Sequence, residues 1–165
     1  MSFRIRQASL DDLPEAAAVK ARAWRESYPH FPATVFQTQD EAVERTSAAW
    51  DAAARRGAYY WVVTDTSTDP APSVGVAHAC PARDADAPAS LELASLYLLD
   101  VAKGSGIADR LLEMAIGDAP AYLWVIGENA RAITFYERHG FVLDGATQPL
   151  RNELSHLLRV RMIRA

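Results

Sequence analysis

Residues 91–143 read LELASLYLLDVAKGSGIADRLLEMAIGDAPAYLWVIGENARAITFYERHGFVL, and the order of patterns within them decides the fold. Residues 91–99 form a continuous apolar run with one charge, Glu92, as a central strand covered on both faces requires. Lys103-Gly104-Ser105-Gly106 then turns the chain into a helix. Ile107, Leu111, Met114 and Ala115 recur on one face of that helix, with Asp109, Arg110 and Glu113 polar. Residues 121–126 read as a second buried strand. Residues 128–139 read as a helix carrying Ala132, Phe135, Tyr136 and His139 on one face, stopped by Gly140, and residues 141–143 begin another strand. This β-turn-α-β-α-β succession predicts an α/β protein (α+β in detail), with a mixed sheet and helices on both of its sides.

The rest of the chain extends the same architecture. Phe3-Arg4-Ile5-Arg6 alternates as a short half-buried strand. Asp11-Asp12-Leu13-Pro14 offers an acidic cap and an early proline for an Ala-rich helix reaching about Trp24. Tyr28-Pro29-His30-Phe31-Pro32 interrupts it, and a second helix is predicted over 41–56, ending at Gly57. Aromatic and β-branched residues make 58–64 a strand, the prolines and polar residues of 65–73 a turn, and 74–80 the returning strand. A polar loop covers 81–88. The final strand is predicted over 154–163, with Leu158, Val160 and Met162 inward. No repeat or linker divides the 165 residues, so the expectation is a single domain spanning 1–165.

Composition narrows the function classes. Apolar residues at 50% and charged residues at 23% exclude a disordered chain, and no apolar run approaches the ~18 residues of a membrane span. The first residues lack the apolar stretch of a secretory signal. One cysteine, Cys80, makes neither an internal disulfide nor a thiolate metal cluster; the expectation is a cytoplasmic protein with no metal. A net charge of −4 gives no footprint for nucleic acid or anionic membrane, and is compatible with a cationic small substrate.

A strand, a glycine-rich turn and a helix in succession form an anion site, because glycines admit a ligand to the backbone and the first helical amides carry partial positive charge. Lys103-Gly104-Ser105-Gly106-Ile107-Ala108 has that form. A Walker loop is excluded, since no Gly-Lys-Ser/Thr follows at the required spacing. A dinucleotide fingerprint is incomplete, because Asp109 replaces its third glycine. Plain turn chemistry is the remaining alternative for the loop by itself.

The run from Leu123 to Phe141 adds a second block: a strand, Asn129, Ala132, the Phe135-Tyr136 pair and the closing Gly140-Phe141. It resembles the second conserved block of the GNAT superfamily of N-acetyltransferases. The first block of that superfamily, Gln/Arg-x-x-Gly-x-Gly/Ala after a strand, is met by Lys103, Gly106 and Ala108. Lysine stands in for the usual Gln or Arg, and Asp100 stands where the family often has proline. The two blocks cover about a third of the chain, in order and at the family separation.

The resemblance implies a mostly antiparallel central sheet with a splayed V between its two central strands, and acetyl-CoA as co-substrate. The amides of Lys103, Gly104, Ser105, Gly106, Ile107, Ala108 and Asp109 would cradle its pyrophosphate, while Leu96, Tyr97 and Leu98 pair with the pantetheine arm like an added strand. The N–H of Leu98 would serve as oxyanion donor. Asn129 would cap its helix and reach the cofactor. Tyr136 would protonate the departing thiolate, which is reasonable for a phenol facing a thiol of pKa ~8.5. Glu92, expected to have its pKa raised by burial, would serve as the base that frees the attacking amine, with His78 and His139 as fallbacks. Trp24 and Tyr28 would either pack the core or wall the acceptor pocket. Cys80 lies outside both blocks and is expected to be inert, so no acyl-enzyme is expected.

The function implied is transfer of an acetyl group from acetyl-CoA to a primary amine of a small molecule or a peptide amino group, by direct attack. A non-catalytic acyl-CoA-binding regulator on the same fold is the alternative, and an NAD-type oxidoreductase is disfavoured by Asp109 and the second block. Members of the superfamily often form homodimers.

Overall fold

The computed structural model describes residues 2–165. Its elements are β1 (Phe3–Gln7), α1 (Leu13–Ser27), α2 (Ala33–Arg55), β2 (Tyr60–Asp65), β3 (Ser73–Pro81), β4 (Leu91–Leu98), α3 (Ile107–Ile116), β5 (Ala121–Ile126), α4 (Ala130–Arg138), β6 (Val142–Pro149) and β7 (Leu158–Arg164). The strands form one open sheet in the order β1-β2-β3-β4-β5-β7-β6. β1–β2, β2–β3, β5–β7 and β6–β7 pair antiparallel, and β4–β5 pairs parallel. The mixed, mostly antiparallel sheet expected from the sequence is the architecture found. Among the described residues no helix is long and apolar enough to cross a membrane.

The chain divides into two compact units. One holds the described residues up to Ala79 together with Ser95–Gly117; the other holds Cys80–Ala94 and Asp118–Ala165. β4 therefore supplies residues 91–94 to the second unit and 95–98 to the first.

In the first unit, the core joins Leu13, Ala16 and Val19 of α1 to Val62 and Val63 of β2, Val76 of β3, Leu98 of β4 and Leu111 of α3. Alanines on the buried face of α1 fill space while losing almost no side-chain entropy on burial. Gly75 leaves room for its neighbours on β4 and β2: a Cβ there would lie 2.7 Å from Leu98 Cδ1 and 3.0 Å from Val63 Cγ2. Along α3, Ile107, Leu111, Leu112 and Ile116 are buried, whereas Met114, predicted inward, is exposed.

Two helix boundaries differ from the sequence reading. α1 runs on to Ser27, and Asp12 does not cap it. Its carboxylate instead accepts from Ser9 N and Oγ at 2.7 and 2.9 Å and from Arg6 at 2.6 and 2.8 Å, tying the helix entry to β1. The Arg6 hydrogen bonds hold this carboxyl well below the usual carboxylate range. α2 begins at Ala33, directly after Pro32, rather than at 41. Only Val35 and Trp50 of α2 are buried, so its first turns carry no apolar period from which a helix could be read.

In the second unit β5 lies between β4 and β7, and Tyr122, Leu123, Phe141 and Met162 are almost fully buried. β6 is longer than the predicted 141–143 and is interrupted by a register shift between Leu143 and Thr147, where Gly145 has a φ of +90°. It is an edge strand, largely exposed, held by ladder bonds to β7; burial leaves no alternation in its sequence. β7 starts at Leu158, four residues later than predicted, because 152–154 form a 3₁₀ turn. Met162 is inward as expected, but Leu158 is exposed and Arg161 is buried, bonded to Asp144 at 2.6 Å and Asp86 at 3.1 Å.

Candidate active site

The first unit builds the anion loop. Leu99 N–H donates to Val74 O at 2.8 Å. Backbone polar groups alternate in direction along a strand, so the N–H of Leu98 lies on the edge of β4 opposite β3. A 3₁₀ turn, Asp100–Ala102, follows and leads into Lys103-Gly104-Ser105-Gly106. Gly104 and Gly106 have φ of +77° and +83°, which L side chains rarely adopt, although open space surrounds both. Their requirement is conformational, not steric crowding.

Ser105 braces this turn from within. Its hydroxyl donates to Ala102 O at 2.5 Å and accepts from Ile107 N–H at 3.3 Å. The amides of Gly104, Ser105, Gly106 and Ala108 have no protein acceptor among the described residues. Four open N–H groups at the entrance of α3 are the donor set an anionic group requires. Lys103 also has a partner: Nζ lies 2.6 Å from Asp100 Oδ1 and 3.5 Å from Ser27 Oγ. Asp100 N–H donates to Glu26 Oε2 at 2.8 Å. Sequence reading did not single out Glu26, because nothing local links it to a residue 74 positions away.

The aromatic cluster at the end of α1 also belongs to the first unit. Trp24 and Tyr28 have ring centroids 5.2 Å apart, and Tyr28 stacks on Phe31 at 4.7 Å and 5°. Tyr28 and Phe31 are buried; Trp24 is half-buried. Lys20 Nζ lies 6.0 Å above the ring of Tyr97 on β4. His78 stacks on Tyr60 at 4.2 Å and meets Trp50 edge-on at 5.9 Å.

The second unit carries Glu92, Asn129 and Tyr136. Asn129 is the N-cap of α4, its Oδ1 accepting from Ala132 N–H at 3.0 Å. Asn129→Ala is expected to cost about 1 kcal/mol and Asn129→Ser to restore most of it, measured by urea denaturation. Equal stability of wild type and Asn129→Ala would show the cap to be idle. Tyr136 is buried on α4, its ring 5.3 Å from Phe135 and 5.8 Å from Phe141. His139 lies 4.8 Å from Phe135.

Glu92 occupies a network not legible in the sequence. It is buried, and its carboxylate accepts from Arg83 N, Nε and Nη2 at 3.2, 3.1 and 2.7 Å and from Tyr122 Oη at 2.9 Å. Asp84 extends the network, accepting from Trp124 Nε1 at 2.8 Å. Burial works to raise the Glu92 pKa, as the sequence reading expected. The Arg83 and Tyr122 hydrogen bonds and the Arg83 charge outweigh it, and the net shift is downward. Glu92 is thus a carboxylate at neutral pH. Burial and the Glu92 charge push the Tyr122 phenol up to about 12. Burial also pushes the Cys80 thiol above its usual range, so little reactive thiolate forms.

An open, mostly antiparallel sheet with a glycine-entered helix after its central strand sets the fold, and comparison with known proteins gives the family. The acetyltransferase (GNAT) domain family matches residues 56–143, more than half of the chain, and the chain belongs to that family. It is 26% identical over 154 residues to a Mycobacterium tuberculosis protein described as a probable N-acetyltransferase, covering 88% of this chain and 83% of the relative. In structure it resembles the PaiA N-acetyltransferase of Thermoplasma acidophilum in complex with coenzyme A, with a TM-score of 0.72 and 17% identity over 99% of each chain. It also resembles the ribosomal-protein-alanine N-acetyltransferase of Brucella melitensis, with a TM-score of 0.70 and 22% identity over 98% of each chain. The protein is accordingly an N-acetyltransferase of the GNAT family.

Proposed function

We propose that residues 1–165 act as one N-acetyltransferase domain, passing the acetyl group of acetyl-CoA directly to a primary amine of a small molecule or a peptide. The observation that carries this is the row of open amides at Gly104, Ser105, Gly106 and Ala108. These, with the backbone of Leu96, Tyr97 and Leu98 and the remaining loop amides, would hold the cofactor. The CoA complex of the Thermoplasma neighbour supports the choice of ligand. Acetyl-CoA supplies a thioester activated for attack.

Leu98 N–H, on the edge of β4 opposite β3, would meet the negative charge that develops on the thioester oxygen. Tyr136, its ring packed beside Phe135 and Phe141, would donate a proton to the departing sulfur. Glu92, ionised and held by Arg83 and Tyr122, would accept the amine proton. The cap made by Asn129 orients the α4 entrance, and half-buried Trp24, backed by the buried Tyr28, would form a wall of the acceptor pocket. The Brucella neighbour's name makes a peptide amino group one acceptor to assay. For location we infer the cytoplasm, from the single cysteine. Homodimerisation is part of the same proposal.

The test combines a thermal scan with a thiol-release assay across amines, amino acids and peptide N-termini. Acetyl-CoA at 100 times its dissociation constant is expected to add about 2.7 kcal/mol to stability and raise Tm. Absence of a shift at millimolar acetyl-CoA removes the cofactor from the proposal. A shift with no thiol release for any amine would point instead to a non-catalytic acyl-CoA-binding regulator.

A further inference from the structure

Four charged side chains gather where the end of α1 meets the entrance of the anion loop. Glu26 Oε2 accepts from Asp100 N–H at 2.8 Å, and Glu26 Oε1 lies 3.4 Å from Arg22 Nε. Asp100 Oδ1 holds Lys103 Nζ at 2.6 Å, with Ser27 Oγ 3.5 Å from the same nitrogen. Lys103 N–H donates to Asp100 O at 3.1 Å, and Leu99 N–H to Val74 O at 2.8 Å. Residues 99–103 are therefore tied to β3 at one end and to α1 at the other, just ahead of the four open amides.

Two carboxylates beside an anion-binding loop would repel an anion unless balanced. Here Arg22 and Lys103 supply two positive charges against Glu26 and Asp100, so the cluster holds geometry without imposing a net field. Glu26 is the member reaching across from another element to the backbone of the turn, and a hydrogen bond to a carboxylate is roughly twice as strong as a neutral one. The Arg22 and Lys103 pairs are partly or largely exposed and add little binding energy of their own.

We propose that Glu26 is a positioning residue for the cofactor's phosphate loop: it fixes the backbone of Asp100, and through it the direction of the amides that follow. The proposal rests on the acetyl-CoA reading of the loop. It predicts a separation of binding from turnover that a general loss of structure would not give.

The experiment uses the full chain as Glu26→Ala, Glu26→Gln and Asp100→Pro, the last deleting the donor N–H. Glu26→Ala is expected to weaken CoA binding and raise KM for acetyl-CoA about tenfold, with kcat within about twofold. The hydrogen-bonded amides of Asp100, Ala102 and Lys103 should exchange faster in the same variant without ligand. Glu26→Gln keeps an oxygen that accepts the same hydrogen bond, and is expected within about threefold of wild-type affinity. Asp100→Pro also removes the carboxylate beside Lys103, but both changes break the Glu26–Asp100 hydrogen bond, so adding Glu26→Ala to Asp100→Pro should weaken binding no further. Unchanged CoA affinity and exchange in Glu26→Ala, or a Glu26→Gln as impaired as Glu26→Ala, overturns the positioning role alone. A wild-type chain that binds no CoA overturns the acetyl-CoA reading and this proposal together.

Discussion

Tyr136→Phe is expected to lower kcat for thiol release from acetyl-CoA by about 100-fold or more, the usual worth of a positioned proton donor. Acetyl-CoA affinity should stay within about twofold, because the substitution removes a hydroxyl and keeps the ring. That ring is what packs beside Phe135 and Phe141, so the α4 scaffold survives the change. The loss should be greatest for acetyl-CoA and smaller for an acetyl donor whose leaving thiol is more acidic, since such a thiolate departs without a proton. Equal kcat in wild type and Tyr136→Phe would sink the acid role and leave Tyr136 as a packing residue.

Arg83→Met is expected to reverse the pH dependence that Glu92 gives to stability. In the wild type the Glu92 pKa lies below its ordinary 4.5. The group's contribution is therefore fully present above pH 4.5 and is lost as pH falls through the folded-state value. Removing the Arg83 side chain takes away a hydrogen-bond donor and a charge and leaves only the Tyr122 hydroxyl and the residue-83 amide against burial, so the pKa is expected to rise above 4.5. The contribution then survives only in acid, and is lost as pH climbs through the raised value toward neutrality.

At pH 7 the variant should be destabilised by about 2 kcal/mol. That is less than the 3–5 kcal/mol typical for breaking a fully buried pair, because part of Arg83 faces solvent. Its side chain is 62% exposed, against 5% for Glu92. Thermal scans from pH 3 to 8 separate the two profiles: a plateau above about pH 5 for wild type, and a decline over that range for Arg83→Met. The acid limb of the pH–rate profile should move upward with it, and Glu92→Gln should abolish that limb. Superimposable stability profiles for wild type and Arg83→Met would remove Arg83 as the group that keeps Glu92 ionised.

Much of the fold can be read along the chain because its signals are local. The bounds of β5 match the sequence reading, since an apolar run between a proline turn and Gly127 leaves little choice. Asn129 carries its capping role within three residues, and Gly104 and Gly106 carry theirs in their own φ angles. Elements without buried periodicity leave little local signal. The first turns of α2 are mostly exposed, and β6 is an edge strand sustained by backbone pairing, so neither advertises itself in side-chain pattern.

The candidate site divides in the same way. The loop that can take an anion and the family resemblance are legible along the chain, and the expected roles of Tyr136 and Asn129 rest on that resemblance. Each depends on contacts within a few residues, or on spacings that a strand-turn-helix unit preserves. Tertiary structure alone decided the states of the charged groups. Glu92 answers to Arg83 nine positions away and Tyr122 thirty positions away, and Lys103 and Asp100 answer to the end of α1. A carboxylate's pKa and an ammonium's partner are set by whichever groups folding brings within a few ångströms, against the desolvation of the same fold.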